Sequence, residues 1–195
     1  MFTNKRILIG ITVVFVLAFA TYTYGLKKQS NIYHEYIETY VVEHAFFTFI
    51  RDWSQYNHVI DQALEKQQIS QEDLKMLHAT YSETLNDFIQ LSDLANTVIN
   101  GNTTMNLALQ HLSDIMLTFE SLEKELDGAD SMNLDQKQVE FLKSVKTFNT
   151  ALININDEHS DVSEEELLDF DESYWIDYLQ KLNNKTRKLR IMKAL

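Results

Sequence analysis

The chain has 195 residues, a formal charge of −12, and neither cysteine nor proline. The lack of cysteine excludes disulfides, thiolate zinc sites, iron–sulfur clusters and cysteine nucleophiles, and the scarcity of helix breakers favours long helices. Lys5, Arg6, Lys27 and Lys28 open the chain and six basic residues lie in the last fifteen, so residues 29–180 hold only seven basic residues against all 29 acids, a formal charge of −22; binding to nucleic acid, which depends on Lys and Arg contacts to phosphate, is excluded for such a body.

Residues 1–28 read as a targeting element. Ile7 to Leu26 is an uncharged run of 20 residues, which as a helix spans about 30 Å, the thickness of a bilayer's hydrocarbon core. Two readings stay open. As an uncut anchor held in the lipid bilayer through residues 7–26, the run is bounded by Lys5 and Arg6 on one side. On the other, Tyr22 and Tyr24 suit the headgroup zone and Lys27 and Lys28 form a polar stop. As a signal peptide, Lys5 and Arg6 form the basic leader, Ile7 to Leu17 the apolar stretch, and Ala18-Phe19-Ala20 the small-x-small pattern for cleavage. The bilayer-matched length and the Tyr–Lys boundary favour the anchor, and basic residues on both flanks argue against a core helix of a soluble domain. The Lys and Arg count is equal on the two sides. The N-terminal side is short and the downstream chain soon turns acidic, so the expected topology is single-pass, N-terminus inside and body extracytoplasmic.

Residues 29–195 are expected to form one acidic domain with a basic C-terminal end: an all-α, up-and-down bundle of four or five long antiparallel helices near 31–67, 71–99, 103–127, 134–156 and 164–190. Punctuation supports these limits. Asn100-Gly101-Asn102 and Asp127-Gly128 are helix stops, while Ser70 with Asp73, and Ser163 with Glu166, are starts of the capping-box type. No strand-like alternation competes.

The first of these helices is crowded with aromatic residues on all sides: Tyr33, Tyr36, Tyr40, Phe46, Phe47, Phe49, Trp53 and Tyr56. A central helix buried on most sides accounts for this best. The functional alternative is a ligand or partner face built from Tyr33, Tyr36, Tyr40, Trp53 and Tyr56, residue types that favour interfaces. His58 with Asp61, and His111 with Asp114, are each one turn apart and share a helix face. No histidine has an acid three positions before it, as a di-iron bundle requires, so these pairs read as solvated surface and no metal or other cofactor is expected.

The later helices carry clean seams. Alternating steps of three and four pick out Leu74, Leu77, Tyr81, Thr84, Phe88, Leu91, Ala95 and Val98 in the second, all apolar but Thr84. The third gives Ala108, Leu112, Ile115, Phe119, Leu122 and Leu126, and the fourth Phe141, Val145, Phe148, Leu152 and Ile155. Asp157 to Asp161, followed by Glu164 to Glu166, is the most acidic stretch. It offers no glycine in the register of a calcium-binding loop, and Glu164 to Glu166 suit the first turn of a helix.

The last fifteen residues place Lys185, Arg187, Lys188 and Arg190 beside apolar residues with no side-chain acid. Their charge complements a helix C-terminus and the acidic flanks of neighbouring helices, or offers a docking surface to an anionic partner. Neither a nucleophile elbow nor a paired base appears, so no catalytic residue is assigned. The expected function is non-enzymatic: an adaptor, an accessory subunit or the sensing part of a partner protein's assembly. The alternative is a secreted ligand-binding protein released by cleavage after Ala20.

Overall fold

The computed structural model describes residues 17, 19–28, 30–31, 51–99, 106–159, 161, 163 and 174–192. The chain divides into two compact units, Met1–Tyr40 and Val41–Leu195. In the first, residues 19–28 are helical, and Leu17, Phe19, Tyr22, Tyr24 and Leu26 are all exposed. Among the described residues no helix is long and apolar enough to cross a membrane; of the span expected over 7–26, residues 7–16 and 18 lie outside them.

The second unit is a helical bundle. Helix α1 (Trp53–Lys66) ends where Gln67 takes left-handed backbone angles and its N–H bonds the Ala63 carbonyl. A three-residue strand β1 (Gln68–Ser70) leads into α2 (Gln71–Ile99). Ser70 caps α2 by accepting the Asp73 N–H at 3.1 Å and donating its hydroxyl to the Asp73 carboxylate at 2.6 Å, with Glu72 and Asp73 adding negative charge to the first turn. Helix α3 (Asn106–Glu125) gives way to a turn in which Asp127 and Gly128 both have positive φ, 43° and 82°. Strand β2 (Ser131–Asn133) follows, then α4 (Gln136–Glu158), opened by a reciprocal capping box between Asp135 and Gln138. Helix α5 (Tyr174–Thr186) is the last.

Consecutive helices run antiparallel, as the contacts show. Trp53 of α1 meets Tyr81 of α2; His78 and Tyr81 of α2 meet Glu123 and Phe119 of α3; Phe119 and His111 of α3 meet Phe141 and Phe148 of α4. Helix α4 closes on α1 through Lys146–Asp61 and Asn149–Asn57. The three sequence-read seams line the core, with Leu74, Leu77, Phe88, Leu112, Ile115, Phe119, Phe141, Val145, Phe148 and Leu152 at or near zero exposure. Helix α5 packs on α3 and α4, and its Tyr178 ring stacks on Phe88 of α2 at 6.3 Å.

Three expectations are corrected. The helix expected over 31–67 is not continuous: Arg51 and Asp52 are non-helical, and Asp52 caps a fresh start at Trp53. The bundle also contains sheet, because β1 and β2 pair antiparallel with Ile69 opposite Met132. In an up-and-down order the α1–α2 and α3–α4 connections fall at the same end, close enough to share backbone hydrogen bonds; Gln71 N–H to the Asp130 carbonyl and Leu134 N–H to the Gln67 carbonyl, both 2.9 Å, extend the ladder. Finally, α5 stops at Thr186 rather than 190, and Leu189 and Ile191 pack on the core from an irregular tail.

Candidate functional site

Arg51 and Asp52 are non-helical although neither is proline or glycine, and their bonding fixes the start of α1 at Trp53. The Asp52 carboxylate accepts from the Ser54 hydroxyl and, at 3.0 Å, from the Ser54 N–H, which hold its pKa below the usual carboxylate value. The Arg51 guanidinium spreads over α2, donating to Glu83 at 2.7 Å, the Thr84 hydroxyl at 2.9 Å and the Thr80 carbonyl at 3.2 Å. It also lies 5.8 Å from the centre of the Trp53 ring. The Arg51 carbonyl accepts from the Asn156 amide of α4 at 3.4 Å. One residue thus ties the start of α1 to both of its neighbours.

Below this joint a polar chain crosses the interior. Tyr81 donates its hydroxyl to Asn149 at 2.5 Å, and Asn149 donates its amide to Asn57 at 3.0 Å; Tyr178 donates to Asn156 at 2.8 Å. Burial drives the pKa of both phenols far above the ordinary tyrosine range, so both act as neutral donors. The Trp53 indole is buried against Tyr56 and Tyr81, at 5.7 and 5.9 Å, and its N–H finds no acceptor. Such an arrangement fixes helices against one another; it places no activated nucleophile beside a base.

A second polar cluster joins α4 to α5. Glu158 pairs with Lys185 at 2.5 Å and Lys181 at 3.5 Å, and Asp177 pairs with Lys181 at 2.8 Å. Lys185 depresses the Glu158 pKa, Lys181 depresses that of Asp177, and Asp177 in turn raises that of Lys181. His159, buried at the end of α4, lies between the Ile155 carbonyl at 2.8 Å and Asp177 at 3.3 Å.

The sequence-read candidates scatter. His58 is exposed and bonds Gln62, while Asp61 is taken by Lys146; His111 lies edge-on to Phe148 and 3.2 Å from the Thr186 carbonyl. Among the described residues no group of three His, Cys, Asp or Glu could hold a metal. Of the aromatic face, Trp53 is 1% exposed and so belongs to the core, Tyr56 is half-buried against it, and Tyr33, Tyr36 and Tyr40 lie outside the described residues. Of the basic end, Lys185 is engaged by Glu158, while Arg187, Lys188 and Arg190 are exposed. Tyr22, Tyr24, Lys27 and Lys28 are exposed on the N-terminal helix, and Lys5 and Arg6 lie outside the described residues.

Arg51, Asn149, Asn156 and His159 were not singled out by sequence reasoning. A signal for the Arg51 joint does exist: Asp52 followed three residues later by Gln55 is a helix-start pattern in the middle of an apparent helix. No family model matches the chain, and neither a curated protein nor a solved structure matches it.

Proposed function

We propose that this chain is a membrane-anchored, non-enzymatic helical-bundle protein, its acidic body extracytoplasmic and serving as adaptor, accessory subunit or sensing part of a partner assembly. The observation that carries the anchor is the N-terminal helix. Its described apolar side chains are all exposed, which in water leaves a continuous apolar surface uncovered. The Thr21 and Thr23 hydroxyls bond carbonyls of their own helix, Leu17 and, at 2.9 Å, Phe19, so that surface presents satisfied polar groups, as lipid demands. Lys27 and Lys28 then supply the charge that belongs at the headgroups.

A partner protein is part of the same reading, since an anchored acidic body with exposed Arg187, Lys188 and Arg190 at its basic end offers charged surfaces to a second protein. The body's interior is devoted to holding helices together, which suits a rigid binding module better than a catalyst. Membrane fractionation combined with the intact mass of the mature protein tests the anchor. Retention of residues 1–28 in the membrane fraction is expected. A soluble chain beginning at Thr21 would overturn the anchor and favour the secreted ligand-binding alternative. Crosslinking in intact cells is expected to recover a second protein; recovery of this chain alone would refute the partner.

A further inference from the structure

His159 faces hydrogen-bond acceptors through both of its ring nitrogens. Nδ1 lies 2.8 Å from the Ile155 carbonyl of α4, and Nε2 lies 3.3 Å from Oδ2 of Asp177 on α5. A carbonyl and a carboxylate both only accept, so both contacts are hydrogen bonds only when the imidazole carries two protons. A neutral ring satisfies one and turns a lone pair toward the other acceptor. The shorter contact, to Ile155, retains the proton, and the bond to Asp177 is the one given up.

Charged and polar groups of both helices face the ring. On α4, its carbonyl partner belongs to the last turn, at the negative end of the helix dipole, and Glu158 adjoins it. From α5 it meets the Asp177 carboxylate and the neutral Tyr178 ring at 5.7 Å. Among the described residues the opposing charge is Lys181, which shares the same Asp177 oxygen at 2.8 Å and also reaches Glu158. Since Lys181 and Lys185 lower the pKa values of Asp177 and Glu158, both carboxylates stay ionised in mildly acidic solution, where an imidazole is already protonated.

We propose that His159 and Asp177 form an acid-closed latch, which holds α5 against the end of α4 when the imidazole is protonated and loosens it as the imidazole becomes neutral. Among the described residues, the other histidine touching α5 does not mimic this. His111 has a single acceptor there, the Thr186 carbonyl, and a neutral ring with its proton on Nε2 serves it equally well. The latch lies within the bundle and stands whether or not the membrane reading does.

Hydrogen exchange of the α5 amides in the full-length protein, corrected for the intrinsic pH dependence of exchange, provides the test. Protection is expected to fall about tenfold between about pH 5.5 and about pH 8, the scale of one charge-assisted hydrogen bond. In Asp177→Asn the side-chain amide can accept from a protonated Nε2 or donate to a bare one, so the pH dependence should disappear while the fold persists. Equal protection at both pH values in the wild type, or an undiminished pH response in Asp177→Asn, would overturn the latch. Imidazole nitrogen shifts of His159 in the wild type give a reading free of any variant: loss of the Nε2 proton and loss of α5 protection must share one midpoint.

Discussion

Tyr81 has no exposed surface, and its hydroxyl is tolerated there because Asn149, equally buried, accepts it. Removing the donor strands the acceptor, so Tyr81→Phe should cost about 1–3 kcal/mol, the penalty for an unsatisfied buried polar group; urea denaturation of the two proteins measures it. A difference below the error of that titration would mean the bond contributes nothing net. Burial raises the phenol pKa in the folded state. The linked stability is therefore fully present below the unfolded tyrosine value, about pH 10, and is lost as pH rises beyond it. Sequence spacing found Tyr81 and Thr84 on the buried face but not their partners. Thr84, the polar exception in the α2 seam, receives Arg51, a contact that spacing within one helix cannot reveal.

Helix seams were the legible part of the fold, because a 3.6-residue period writes burial directly into the order of residues. All the seam positions named in α3 and α4 are buried. The break at Arg51 was hidden by aromatic residues that suit any buried helix, although Asp52 with Gln55 gave a local hint. The strands were illegible for a different reason: three residues are too few to show alternation, and their pairing arises only once two distant connections meet. Ile69 of β1 is nevertheless 1% exposed and part of the core. Ile69→Ala should thus destabilise the bundle by about 2–5 kcal/mol, as a core residue does, rather than by the few tenths expected of a linker. A denaturation midpoint indistinguishable from wild type would return the segment to linker status.

Across the whole chain, 29 acids face 17 Lys and Arg residues, a formal charge of −12, so negative charge exceeds what ion pairs can neutralise. The described pairs include Arg51–Glu83, Lys146–Asp61 and the Glu158 cluster. Exposed pairs contribute about 0–1 kcal/mol each and weaken in salt, whereas repulsion among the surplus acids destabilises the compact state and is screened by salt as well. With so large a surplus the second effect should win, and the melting temperature should rise with sodium chloride at neutral pH. A fall would show that the pairs outweigh the repulsion. The ribbon of β1 and β2 also bears on how the bundle assembles. Helices α2 and α3 touch across a short connection, but Gln68 meets Asn133 only after two whole helices have been traversed. Closing so long a loop costs entropy that nearby helical contacts do not pay. We expect the ribbon to form after the folding transition state, with Ile69→Ala speeding unfolding and leaving the refolding rate nearly unchanged.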